Sequence, residues 1–227
     1  MLDLDLLKKI PLFEGLKGED LESVRTICQL KHYEHNKMIV HEEDPAGSFL
    51  YIVFKGRVKV TLNNEEGKET ILAMLGSGDF FGEISIFDEG PRSATVTAMI
   101  DSELILIRKE DLLAELKHYP DMMFRILVGM SRRLRKADQQ IVNLAWMDVY
   151  GRVARILLQL ADEQGVPNGK FVEIEKRPTH QELASMTGTS RETVTRVLND
   201  LERQNYLFCD HRRFLIDRKQ LETKTQE

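Results

Sequence analysis

The chain has 227 residues, 42% of them hydrophobic and 30% charged, with a net charge of −5. That is material for two folded domains of an ordinary globular protein, and the absence of any run of eighteen apolar residues argues against a membrane-spanning helix. Two cysteines, Cys28 and Cys209, cannot supply a four-thiolate cluster or a structural zinc site and read as inert reduced thiols.

The first residues, Met1-Leu2-Asp3-Leu4-Asp5, lack the basic start of a signal peptide, so a cytoplasmic location is expected. The opening 35 residues carry helical punctuation: Leu4, Leu6, Leu7 and Ile10 precede Pro11, and residues 20–30 repeat apolar positions at helical spacing. From Met38 to Arg108 the pattern changes. Short alternating segments at 49–53, 57–62, 70–75, 94–98 and 103–107 are separated by Gly47, Gly56, Gly67, Gly76, Gly78 and Gly90. Such a series predicts a β-roll or jelly-roll barrel, with residues 63–67 as an exposed hairpin tip.

Within the roll, residues 81–96 place Gly82 and Glu83 nine to ten positions ahead of Arg92 and Ser93, with turn residues Asp88, Glu89, Gly90 and Pro91 between. A guanidinium can clamp a phosphate, a carboxylate can accept from a sugar hydroxyl, and glycine lets backbone amides approach closely. Those groups suit a cyclic phosphate carried on a ribose. The bland alternative is a turn in which Glu83 and Arg92 pair with each other. The glycines of residues 76–82 miss the dinucleotide spacing and read as a strand-connecting turn.

After Pro120 a long helix is expected. Met123, Leu127, Met130, Leu134, Ala137, Ile141 and Leu144 form a heptad seam, flanked by Arg132, Arg133, Arg135, Lys136 and Gln139. A 3.5-residue period held over about three repeats points to a parallel homodimer rather than to packing on the chain's own roll. A second helix is expected over 150–163, then a loop at 164–169 and a short strand at 171–174.

Residues 179–217 read as a winged helix-turn-helix. Thr179 and Glu182 give a capping-box signal, Gly188 suits the tight turn, and Ser190 can cap the next helix. On that helix Val194, Val197, Leu198 and Leu201 form the inward stripe, leaving Arg191, Glu192, Thr195, Arg196 and Asn199 on the other face. Arginine can read guanine, glutamate the cytosine amino group and asparagine adenine in a major groove; a merely solvated face is the alternative. Residues 206–210 and 214–217, joined by His211-Arg212-Arg213, form the hairpin wing. From Gly151 onward there are 13 basic and 12 acidic residues, so the acidic balance of the chain lies in residues 1–150.

Residues 81–96 resemble the phosphate-binding cassette of cyclic-nucleotide-binding domains. The string Thr189-Ser-Arg-Glu-Thr-Val-Thr-Arg196 is similar to the recognition-helix motif of the bacterial regulators typified by the cyclic-AMP receptor protein, also called catabolite activator protein, within the fumarate-nitrate regulator superfamily. The resemblance covers nearly the whole chain and implies an α+β fold: a roll over 1–120, a dimerisation helix over 121–147 and a winged helix-turn-helix over 148–227. It implies that Glu83 partners the ribose 2′-hydroxyl, that Arg92 clamps the phosphate and that Ser93 donates to it. Gly82 belongs to the same cassette, and Ile84, Ser85, Ala94 and Arg133 complete the expected ligand-binding set on the strength of the resemblance. Arg191, Glu192 and Arg196 would read bases of a TGTGA-like half-site, and Thr193 would touch phosphate. Thr179, Ser190, Thr195, Asn199 and Arg212 complete the DNA-facing set.

On the base side the chain departs from the family. Ala137 and Asp138 stand where the family has a Thr-Ser pair that contacts adenine. Asp138 can accept from an adenine amino group, but a carboxylate also fits the paired N–H donors of guanine. It could instead pair with Lys136 or Arg135. Cyclic AMP is the favoured effector; cyclic GMP, cyclic di-GMP and ligand-free constitutive action stay open, as does a signalling subunit that never touches DNA. The expected partners are double-stranded DNA, a second copy of the chain and RNA polymerase, the last touching 164–169 by family position only. No membrane partner is expected. His32, His35 and His41 lack a ligand set, so no metal or haem is expected, and no catalytic arrangement marks an enzyme.

Overall fold

The computed structural model describes residues 3–45, 47–210 and 213–224. Arg212, expected at the wing tip, lies outside them. The chain divides into two compact units, Met1–Arg135 and Lys136–Glu227.

The first unit opens with α1 (Leu4–Leu7), a 3-10 turn at Pro11–Phe13, and α2 (Glu19–Ile27). Eight strands follow: β1 (Gln29–Tyr33), β2 (Met38–Val40), β3 (Phe49–Lys55), β4 (Arg57–Asn63), β5 (Glu69–Gly76), β6 (Phe80–Phe81), β7 (Thr95–Ala98) and β8 (Ser102–Arg108). Short α3 (Ile84–Phe87) separates β6 from β7, and α4 (Lys109–His118) and α5 (Pro120–Trp146) follow β8. The strands form two antiparallel sheets, ordered β1-β8-β3-β6 and β2-β7-β4-β5.

Strands β3 and β8 run through the middle of one sheet and are buried on both faces. Leu50 pairs with Ile107 and Ile52 with Ile105; these four join Leu12, Phe13, Leu21, Leu112 and Ile126 in a helix-covered core. The alternate residues Tyr51, Val53, Leu104 and Leu106 point into the roll, against Val58, Leu75 and Val96. Side chains that alternate by two residues supply both cores from the same strands. Each fully buried aliphatic side chain contributes about 1.5–3 kcal/mol by leaving water. Residues 63–67 form the β4–β5 tip, with Gly67 at a φ of 75°.

Two expectations change here. Residues 20–30 are not one helical stretch: α2 stops at Ile27 and Gln29 begins β1. An edge strand whose first four residues face solvent carries no alternation for a pattern to register. The 164–169 segment is not a plain loop, since Val166–Asn168 pairs with the following strand.

The second unit holds α6 (Val149–Gln164), β9 (Val166–Asn168), β10 (Phe171–Ile174), α7 (His180–Thr187), α8 (Arg191–Arg203), β11 (Leu207–Cys209), β12 (Phe214–Ile216) and α9 (Arg218–Lys224). Its sheet runs β11-β12-β10-β9, all antiparallel. Helix α6 is capped by the Asp148 carboxylate and buries Val153, Leu157 and Leu160. The Thr179 hydroxyl accepts from the Glu182 N–H while Glu182 accepts from the Thr179 N–H, so the capping box forms in full. Gly188 ends α7 in the left-handed region, φ 65° and ψ 40°, where a side chain would be strained. Ser190 caps α8, whose Val194, Val197, Leu198 and Leu201 are buried.

Candidate effector pocket and nucleic-acid interface

The segment joining β6 to β7 is pinned at both ends by sheet pairing, Phe81 opposite Tyr51 and Val96 opposite Val60. Gly82 turns at a φ of 85°, and a Cβ there would press on Arg92 Nη1 at 2.6 Å and on the Phe49 carbonyl at 3.0 Å. Only glycine permits that turn.

Glu83 is 2% exposed. Its Oε1 accepts from Arg133 Nη1 at 2.8 Å, while its Oε2 is buried with no hydrogen-bond partner among the described residues. Burial raises the carboxyl's pKa above the usual range, and the Arg133 guanidinium opposes that shift. Arg133 also donates from Nη2 to the Phe80 carbonyl at 2.6 Å and lies over the Phe80 ring. Glu83 therefore pairs with α5, and the alternative Glu83–Arg92 pair does not form. A desolvated carboxylate with one free oxygen is costly unless a donor arrives to meet it.

Arg92 is 7% exposed. Its Nη1 donates to the Gly82 carbonyl at 3.0 Å and to Ser85 Oγ at 2.9 Å, and its Nη2 to the Phe49 carbonyl at 3.1 Å. Burial lowers its pKa, though an arginine stays charged at neutral pH. The guanidinium packs against Gly47, leaving no room there for a Cβ, and faces the Tyr51 ring at 5.7 Å, which stacks on Phe81. Ser85 lies buried behind Arg92, Ala94 is buried beside it in sequence, and Ile84 and Ser93 are exposed.

Gly82, Glu83, Ser85, Arg92 and Arg133 are thus gathered within the first unit. Ala137 and Asp138 belong to the second. Both are exposed on α5. Lys136 reaches Glu163 at 2.7 Å, and Asp138 makes no ion pair among the described residues. The seam residues Leu127, Leu134, Ile141 and Leu144 are all more than half exposed. Gly47, Phe49 and Tyr51 were not singled out by sequence reasoning; the glycine preceding a strand was the only signal for them.

On α8 the side chains of Arg191, Glu192, Arg196 and Asn199 are exposed. Those of Arg191, Arg196 and Asn199 make no hydrogen bond or ion pair among the described residues. Glu192 is held below the usual carboxylate range by its own backbone N–H and the Ser190 hydroxyl, so it stays an acceptor. Thr193 meets Ser190 Oγ at 3.0 Å, and Thr195 Oγ1 donates to the Arg191 carbonyl at 2.9 Å. Burial pushes the Cys28 and Cys209 thiols up to about 12, far from thiolate chemistry at neutral pH. Among the described residues no three His, Cys, Asp or Glu side chains gather as a metal site, and no helix is long and apolar enough to cross a membrane.

Residues 30–119 match the cyclic nucleotide-binding domain family and residues 151–224 the Crp-like helix-turn-helix domain family. The cyclic AMP receptor protein of Thermus thermophilus is 39% identical over 86% of this chain and 87% of its own length. The cAMP-activated global transcriptional regulator CRP of Escherichia coli is also 39% identical, over 82% of this chain and 89% of its own. Among solved structures, the c-di-GMP responsive global regulator of Xanthomonas campestris superposes with a TM-score of 0.77 at 26% identity, covering 88% of this chain and 99% of that one.

Proposed function

The chain belongs to the cyclic-AMP receptor protein family of cyclic nucleotide-binding transcription regulators, and from that premise we propose that it works as a homodimer switched by cyclic AMP on a palindrome of TGTGA-like half-sites. Its relatives are regulators, and the chain is not an enzyme.

The observation that carries the effector reading is the buried Oε2 of Glu83, without a hydrogen-bond partner among the described residues, near the buried Arg92. A ribose 2′-hydroxyl donating to Oε2 satisfies the orphaned oxygen. A cyclic phosphate offers Arg92 a charged acceptor in place of two carbonyls and a hydroxyl. Residues 1–120 then serve as the effector domain, 121–147 as the dimerisation helix and 148–227 as the DNA-binding domain. The exposed seam of α5 supports pairing with a second copy, since four large aliphatic side chains left in water are costly. Such pairing sets two α8 helices to read half-sites about 34 Å apart. Arg191, Glu192 and Arg196 are the base readers, Thr193 touches phosphate, and RNA polymerase meets residues 164–169, a contact that rests on family position alone. The effector acts only through tighter binding to the DNA-competent arrangement.

A second reading rests on Asp138, exposed beside Ala137 and without an ion pair among the described residues. Two guanine N–H donors match a carboxylate better than the single adenine amino group, so cyclic GMP or cyclic di-GMP is the alternative effector. Calorimetric titration with the three nucleotides tests both. Tightest binding by cyclic AMP, at one per protomer, is expected; tighter binding by a guanine nucleotide selects the alternative, and no heat with any of them overturns the effector reading.

A further inference from the structure

The start of α7 borders a groove that shares only Arg191 with the base-reading set. The groove, of about 540 Å³, lies against the segment preceding α7 and the first residue of α8, lined by Glu175, Lys176, Arg177, His180, Gln181 and Arg191 among others. Three of these side chains are permanent cations and one is acidic, so the groove favours an anion.

His180 is tied to the recognition helix. Its Nδ1 lies 2.8 Å from Thr195 Oγ1, and that hydroxyl already gives its single proton to the Arg191 carbonyl at 2.9 Å. Both contacts are hydrogen bonds at once only when Nδ1 carries a hydrogen and the hydroxyl accepts it, an arrangement that leaves Nε2 of the neutral ring as a bare acceptor. Nε2 has no hydrogen-bond partner among the described residues. The charged groups facing the ring are Arg177 from the segment before α7, and Arg191 and Glu202 from α8; the groove adds Glu175 and Lys176. Burial, then Arg177 and Arg191, hold the ring below the ordinary histidine value, against the smaller pull of Glu202. The free protein thus presents a neutral imidazole at neutral pH.

A phosphodiester entering the groove would change that balance. It brings a negative charge to the two arginines and an acceptor for an Nε2–H. We propose that His180 is a proton-linked contact to the DNA backbone: binding a phosphate in this groove drives a proton onto Nε2, and the imidazolium then holds the phosphate while Nδ1–H keeps Thr195 in register on α8. This inference rests on the DNA-binding reading of the second unit. Its sign follows from linkage. The bound state holds the proton more tightly than the free state, so affinity is highest below the free-state pKa and falls as pH rises through the bound-state pKa.

The test is fluorescence anisotropy of the full chain with cyclic AMP, on a duplex of inverted TGTGA half-sites and on an unrelated duplex, from about pH 5.5 to about pH 8.5. Affinity for both duplexes should fall about ten-fold between roughly pH 6 and pH 8, because a phosphate contact is blind to sequence. His180→Asn keeps an amide donor for Thr195 and should flatten the profile at the weaker level. His180→Arg, charged throughout, should flatten it at the tighter one. With histidine ¹⁵N labelling, the ring should report Nδ1–H alone in the free protein and both protons when DNA is added at the same pH. A slope that survives in His180→Asn, or a ring that stays neutral on DNA, overturns the assignment while leaving DNA binding intact. Failure to bind either duplex at any pH overturns the DNA-binding reading as well.

Discussion

Glu83→Gln separates binding from stability. In the free protein Glu83 Oε1 is paired with Arg133 at 2.8 Å and Oε2 has no partner among the described residues, in a side chain 2% exposed. A glutamine keeps the shape and an acceptor for Arg133 but removes the charge. Arg133 is about a third exposed and still holds the Phe80 carbonyl, so it is not left stranded. The raised pKa fixes the sign for stability. A carboxyl whose folded-state pKa lies above its unfolded value contributes stability below the ordinary carboxyl range and loses it as pH rises through the raised value. Above the ordinary carboxyl range the buried Glu83 is therefore a net cost, and Glu83→Gln should melt no lower than the unsubstituted chain. For the ligand the loss is that of a charge-assisted hydrogen bond from the ribose, about 1.5–3 kcal/mol, or roughly 10- to 150-fold in Kd. Calorimetry with cyclic AMP and its 2′-deoxy analogue isolates the contact. The unsubstituted chain should lose a comparable factor on the deoxy compound, and Glu83→Gln should lose no more. A Glu83→Gln protein that melts several degrees lower yet binds cyclic AMP as before would refute the reasoning. It would make Glu83 an anchor for α5 and nothing else.

Replacing Leu134 and Ile141 together with glutamate removes two aliphatic groups from the α5 seam. At about 1.5–3 kcal/mol each, dimerisation should weaken by 100-fold or more, read by sedimentation equilibrium; an intact dimer would exclude this seam. Arg196→Ala should cost about 1–3 kcal/mol on the matched half-site and relax base choice at one position. A uniform loss over all sequences would make Arg196 a phosphate contact instead.

Local chemistry was the most legible part of the sequence. The Thr179–Glu182 capping box, the left-handed Gly188 and the Ser190 cap each depend on residues within a few positions of one another, and all three form. The long helix was equally plain, since its heptad is sustained and its ends lie at Pro120 and Trp146. Strands were legible where turns bounded them, as at the β4–β5 tip, and lost where burial gave no contrast. Gln29–Tyr33 is nearly all exposed and Phe80–Phe81 is only two residues long. In the site, Glu83 and Arg92 could be picked by residue type and spacing. Their partners could not, because sheet pairing and helix packing join positions far apart in the chain. Arg133 meets Glu83 across fifty residues, Gly47 makes room for Arg92, and His180 finds Thr195 only once the helix-turn-helix has closed.

The direct test of ligand-gated DNA binding is the affinity for an inverted TGTGA duplex with and without saturating cyclic AMP, in the unsubstituted chain and in Arg92→Leu. Arg92 is the buried cation of the pocket. Cyclic AMP should tighten binding at least about ten-fold in the unsubstituted chain, equivalent to 1.4 kcal/mol of preference for the DNA-competent arrangement. Arg92→Leu should keep the basal affinity and show no gain. Equal affinity with and without the nucleotide, or a full gain in Arg92→Leu, would contradict the account.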